Sequence, residues 1–330
     1  MSGGTQMVAR RQFRGGLAVA AGTIAACREI PPGETNASER ADNPEASVLD
    51  EEALEDALVG SSYLGTGGGG SLSETRDLIA KDLAAGLSFT ALSVAALADT
   101  DRVACPYGLA SLAPTSEEMQ ARLDAIDDQI EEPVQAAFEM LEKHLDQKFA
   151  GIILGEIGPL SLAEGLSIAV RLGVPALDAD TVGRAAPEIN QHSVKVAGIP
   201  LTPIGAATPF GDEMVVDTLG DPTRAEDILG SVAVVSRSCG VADNPITGAQ
   251  AKHQGTLVTG SLTLSRKIGA AVREAESANG DFIEAARAMA MCCLPVRFRI
   301  LNGGARMDFL WATSPLLGWV TLRVRPSSPT

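Results

Sequence analysis

Two short apolar runs that each stop on carboxylates constrain this chain most. Gly151-Ile-Ile-Leu154 leads through Gly155 into Glu156-Ile-Gly158, and Val174 to Leu177 leads into Asp178-Ala-Asp180. Between them, Ser161 to Leu172 carries Leu162, Leu166 and Ala169 or Val170 at helical spacing. A strand, a helix and a strand in that order make a right-handed parallel crossover. The fold class is therefore α/β, a parallel or mixed sheet with flanking helices. Open sheets of this class hold ligands where their strands end. That makes Glu156, Asp178 and Asp180 the candidates for general base and acid, because repulsion between clustered carboxylates raises one pKa. Each could instead be a strand-end residue that caps the following turn.

The remaining patterns extend this frame. Leu49 to Leu58 has helical spacing, and the next helix runs to about Ala85 and stops at Gly86. Between them lies Leu64-Gly-Thr-Gly-Gly-Gly-Gly70, followed by Ser71 and Glu74 at capping-box spacing. A glycine loop that opens onto a helix offers backbone N–H groups to an anion. It is neither a Walker loop nor a dinucleotide fingerprint, since no Lys-Ser/Thr follows and no clear strand precedes. Gly67, Gly68, Gly69 and Gly70 are read as approaching a ligand closely. Phe89–Leu97 and Arg102–Cys105 read as strands, and Ser116–Leu145 as helix broken or kinked at Pro133. From about Thr202, short apolar runs at Met214–Asp217 and Ser231–Val235 suggest a second, β-rich and incomplete domain, followed by a helix over Ser261–Ala275.

Both ends differ from this body. Arg10-Arg11-Gln12-Phe13-Arg14, the uncharged small-residue run Gly15–Ala26 and Ile24-Ala-Ala-Cys27 resemble a twin-arginine lipoprotein signal with Cys27 as the lipidated residue. The run is short for a membrane span, so any membrane attachment is by the lipid anchor alone, on the periplasmic or extracytoplasmic side. A basic leader on a cytosolic protein is the other reading. At the far end, Met291 to Thr330 holds both tryptophans, the adjacent Cys292 and Cys293, and five arginines against one acid. That shift in usage marks the segment as aberrant, an out-of-frame end or a basic partner-binding tail. The expected organisation is an export signal over 1–26, a tether over 27–48, an α/β domain over 49–203, a β-rich domain over 204–290 and the tail over 291–330.

A formal net charge of -16 argues against nucleic acid as partner. Five scattered cysteines form neither a disulfide framework nor a metal motif. With three histidines a histidine-rich zinc site is not expected, although Asp178, Asp180 and His192 leave a carboxylate–histidine site open. No cofactor is specified. Arg184 is a clamp for a substrate carboxylate or a salt-bridge partner of Glu188. Lys252 meets an anionic ligand or is a solvated lysine. Cys105 is a nucleophile or an inert buried thiol, and His192 reads as a surface residue.

Taken together, Leu64–Gly70, Glu156–Gly158, Asp178–Asp180 with Gly183-Arg184 and Pro187-Glu188, and Pro245–Ala249 with Lys252 resemble the S-methyl thiohydantoin desulfurase-like family over about Leu49–Arg287. The resemblance implies an α/β N-terminal domain and a β-rich C-terminal one. It also implies replacement of the S-methyl group of a thiohydantoin by water, giving a hydantoin and methanethiol. The alternative is a lipid-anchored, non-catalytic binder of a small heterocycle. In either case the expected partner is a small heterocyclic molecule.

Overall fold

The computed structural model describes residues 46–293 apart from 112–114, 128, 187 and 219–221. The export signal, Cys27, nearly all of the tether and the tail beyond Cys293 lie outside the described residues. In chain order the strands are β1 (Ser47–Leu49), β2 (Phe89–Leu92), β3 (Arg102–Ala110), β4 (Gly151–Leu154), β5 (Ala176–Asp180), β6 (Ile204–Ala207), β7 (Glu213–Val216), β8 (Ser238–Thr247) and β9 (Val258–Thr259). The helices are α1 (Glu51–Leu64), α2 (Leu72–Ala84), α3 (Glu117–Asp124), α4 (Pro133–Leu145), α5 (Pro159–Leu172), α6 (Ser193–Val196), α7 (Pro222–Ser236), α8 (Gly248–Lys252), α9 (Ser261–Ser277) and α10 (Phe282–Cys293).

All nine strands belong to one mixed sheet, ordered β1-β2-β5-β4-β3-β8-β6-β7, with β9 added to β5. Strands β2, β5, β4 and β3 run parallel, and the β4–α5–β5 crossover expected from sequence is present. β8 runs antiparallel to β3, and β6 and β7 follow, also antiparallel. The strands expected in a second β-rich domain therefore complete the first sheet instead. The physical reason is β8: eight consecutive residues, Cys239 to Ile246, are buried, so it has to be covered on both faces. The apolar run at Ser231–Val235 lies in helix α7 and not in a strand. Ser47 and Val48, read as tether, belong to edge strand β1.

Alternation along each strand divides the core between the two faces. Ile152 and Leu154 of β4 pack on one side with Leu54, Leu58, Phe138, Leu162 and Leu166 from α1, α4 and α5. Ile153 points to the other side with Val103, Leu177, Val241 and Leu229. Proline 133 starts α4, where its missing N–H costs nothing. α1 and α9 touch through backbone. A Cβ at Gly60 would lie 1.8 Å from the Ser265 carbonyl oxygen, and one at Gly269 would lie 1.9 Å from that of Asp56. The same contact is locked by Arg273, whose Nε and Nη2 donate to the buried Asp56 carboxylate at 2.9 and 2.8 Å.

Candidate functional site

The parallel strands β3, β4 and β5 end on the same edge of the sheet, and a cleft of about 80 Å³ opens there. Glu156, Ser161, Tyr107, Glu188 and His192 contribute its polar lining, with Val182 and Ile189 supplying apolar wall. A larger groove of about 510 Å³ lies among α1, α2 and α9. Its arginines are already paired, Arg76 with Glu55 and Arg273 with Asp56. The strand-end cleft is therefore the stronger candidate.

Glu156 enters the cleft from the turn between β4 and α5. Its Oε1 accepts from Ser161 Oγ at 2.8 Å, and its Oε2 accepts from the Ala186 N–H. The turn is held from behind, where Thr181 Oγ1 donates to the Gly155 carbonyl. A second carboxylate, Glu164 of α5, accepts from the Gly108 N–H at 3.3 Å. Burial raises its pKa, and neighbouring Glu132 and Glu156 raise it further.

The opposite wall is His192, only 5% exposed. Asp243 and Asn244, both wholly buried near the middle of β8, hold it. His192 Nδ1 lies 3.4 Å from Asp243 Oδ2 and 2.9 Å from Asn244 Nδ2. Asn244 Nδ2 also donates to Asp243 Oδ1 at 2.7 Å, and Tyr107 Oη donates to Asp243 Oδ2 at 2.9 Å. The Tyr107 ring meets the imidazole edge-on at 5.9 Å. Asn244 sits at a left-handed φ of 50°, which this residue type tolerates better than most. Nδ1 is thus engaged from behind, while Nε2 makes no hydrogen bond among the described residues. An amide nitrogen can only donate, so Nδ1 accepts from Asn244 and the ring proton sits on Nε2, on the side of the cleft lining.

Asp180, the last residue of β5, is fully buried. Burial pushes its pKa up to about 7, against hydrogen bonds from Gly183 and Val182 N–H that favour the charged form. Its Oδ1 makes no hydrogen bond within ordinary geometry among the described residues, although the nearby Ser261 hydroxyl also favours the charged form. Cys105 lies opposite Asp243 across β3 and β8. Its thiol is pushed well above the usual range, first by burial and then by Asp243, Asp180 and Glu156. Such a thiol stays protonated and makes a poor nucleophile.

Several sequence expectations are relocated. Asp178 does not reach the cleft: its two carboxylate oxygens accept from the Thr263 N–H at 3.0 Å and Thr263 Oγ1 at 2.6 Å, capping the start of α9. Arg184 is exposed and turns back on the Ala185 carbonyl at 3.0 Å, with no ion pair to Glu188 among the described residues. Lys252 pairs with Asp99 at 2.7 Å, outside the cleft lining. None of Gly67, Gly68, Gly69 or Gly70 lines the cleft. Three of them make close approaches to the chain itself. A Cβ on Gly69 would lie 2.4 Å from Gly158 Cα, one on Gly68 2.8 Å from Ala185 Cβ, and one on Gly70 2.5 Å from Leu160 Cβ. The Leu160 N–H donates to the Gly69 carbonyl at 2.5 Å. The loop therefore braces the turn that carries Glu156. Ser71 starts α2, but its hydroxyl meets Ser73 and makes no cap bond.

His192 is not the surface residue its isolation suggested, and Tyr107, Asp243 and Asn244 were not anticipated. Their signal in the sequence is the pair of polar residues Asp243-Asn244 inside an otherwise apolar stretch from Cys239 to Ile246. Among the described residues, no group of three or more His, Cys, Asp or Glu side chains is arranged to hold a metal ion. Nor is any helix among them long and apolar enough to cross a membrane.

Comparison with known proteins agrees with this architecture. A solved structure of a protein from Chromobacterium violaceum superposes with a TM-score of 0.58 at 23% identity, covering 76% of this chain and 66% of that one. This likeness concerns the fold alone. No curated protein matches the sequence. The sequence model described as S-Me-THD-like, N-terminal domain, matches residues 52–218, which span α1, the glycine loop, the β4–α5–β5 crossover and His192. The chain belongs to the S-methyl thiohydantoin desulfurase-like family through this N-terminal domain.

Proposed function

We propose that this protein is a hydrolase of a small thiohydantoin- or hydantoin-type heterocycle, releasing methanethiol from an S-methylated ring carbon. The observation that carries the reading is the pairing, in one strand-end cleft, of the Glu156 carboxylate with an imidazole backed by buried Asp243. The ring carbon is amidine-like, so substitution needs both a base for water and an acid for sulfur. Glu156 takes a proton from water as the water oxygen bonds to the ring carbon. The carbon–sulfur bond then breaks, the thiolate leaves with a proton from His192 Nε2, and the hydroxyl proton passes to the ring nitrogen as the carbonyl forms. The proton held by Glu156 returns to His192 through solvent, so in net the two protons of water end on the ring nitrogen and on methanethiol. Asp180 and Asp178 take no part in proton transfer in this scheme.

Family membership supports the substrate class, and the hydrogen bond that His192 Nδ1 accepts from Asn244, which places the ring proton on Nε2, supports its role as donor to sulfur. The test is coupled detection of methanethiol and hydantoin from S-methyl thiohydantoins, in wild type and in Glu156→Gln. We further propose, from the Arg10-Arg11 motif and Cys27, that the protein is exported and lipid-anchored. Cys27→Ala should then abolish incorporation of labelled palmitate, and incorporation that persists in that variant would refute the anchor.

A further inference from the structure

Among the described residues the cleft is lined by the carboxylates Glu156 and Glu188 and by no lysine or arginine. Glu164 stands behind Glu156 and Glu226 behind Glu188, close enough that each lining carboxylate raises the pKa of the one behind it. Arg184 comes nearest in sequence to the lining but is exposed and turned onto its own neighbour's carbonyl. Among the described residues the lining holds one imidazole, His192, and it lies against the buried Asp243 carboxylate. His192 is 5% exposed, with Nε2 unpartnered. A wall of one sign attracts an opposite charge and rejects its own.

We propose that the cleft takes its ligand as a cation, specifically an amidinium: a carbon flanked by two N–H-bearing nitrogens, as in a protonated S-alkyl isothiourea. The two N–H groups of the planar amidinium edge can be shared between the lining carboxylates, one to Glu156 and one to Glu188. Each oxygen of Glu156 has one lone pair free after its bonds from Ser161 and Ala186, so one accepts the N–H and the other is left to the attacking water. The inference rests on the reading of this cleft as the heterocycle site. It adds that the ring binds protonated, the form in which its carbon is most open to water.

The test is titration calorimetry on the full chain with three probes: the cation S-methylisothiourea, neutral hydantoin and anionic hydantoin-5-acetate. S-methylisothiourea should bind at least tenfold more tightly than hydantoin, and hydantoin-5-acetate more weakly than either. Glu156→Gln and Glu188→Gln should each weaken the cation by about fivefold or more and leave hydantoin within about twofold. Because Glu188 is exposed, its variant tests the charge without threatening the fold. Equal or tighter binding of the anion, cation affinity unchanged in both variants, or no binding of the cation would overturn the inference. Methanethiol release from a ring that the protein binds with no preference for the cation would refute this inference alone. Tight, Glu156-dependent binding of S-methylisothiourea without turnover of any S-methyl ring would refute the hydrolase reading alone.

Discussion

His192 Nδ1 and Asp243 Oδ2 face each other across 3.4 Å, and the carboxylate has no exposure to solvent at all. A buried carboxylate behind an imidazole fixes the ring's orientation. In the proposed reaction Asp243 is a positioning residue that acts through His192. Asp243→Asn should lower kcat by about 10²-fold or more with a smaller change in KM. A variant that loses stability but keeps kcat would show Asp243 to be structural only.

Asp178→Ala should separate the two aspartates of β5. Removing the cap of α9 should cost about 1 kcal/mol of stability, while kcat stays within about twofold of wild type. Urea unfolding and steady-state kinetics on the same sample decide it. A large fall in kcat with stability intact would return Asp178 to the site.

Asp180 has a folded pKa of about 7, above its unfolded value. The folded state therefore prefers the neutral acid. Its contribution is fully present below the unfolded pKa, and is lost as pH rises from about 4 through about 7. Relative to wild type, Asp180→Asn should gain stability progressively across that window and level off above it. Urea midpoints at pH 5 and pH 8 suffice, and an equal difference at both would contradict the assignment.

The glycine loop offers a contrast within four residues. Gly69→Ala would drive a methyl group against Gly158 Cα at 2.4 Å, on a backbone at φ 79°. It should cost about 2 kcal/mol or more and shift the Glu156 turn, lowering activity. At Gly67, φ is 94° but nothing lies within 4 Å. Gly67→Ala should cost less, about 1 kcal/mol, and spare activity. Thermal melts with kinetics on both variants would reveal the reverse order if the loop instead held ligand at Gly67.

How much of this was legible in the sequence depends on how local each signal is. The β4–α5–β5 crossover and the approach of Glu156 to a strand end follow from apolar periodicity, which acts over a dozen residues. Asp178 and Asp180 are adjacent members of one pattern, yet one caps α9 and the other is buried. That choice is made by Thr263, far along the chain, and no local rule contains it. The second-domain reading failed because short buried strands carry no mark of their partner, and β8 inserts beside β3 across more than a hundred residues. His192 was missed because a lone histidine signals nothing until β8 brings Asp243 and Asn244 behind it. The glycine loop was recognised as a place of close approach, but the partner was the chain's own Gly158.

If Glu156 and His192 together perform hydrolysis at the strand-end cleft, methanethiol release from an S-methyl thiohydantoin should depend on both. Measured under one set of conditions, wild type should release one methanethiol per hydantoin, Glu156→Gln and His192→Ala should lose about 10²-fold or more in kcat, and Asp178→Ala should turn over as wild type does. Full turnover in Glu156→Gln or His192→Ala, or no release by the wild-type protein, would refute this assignment.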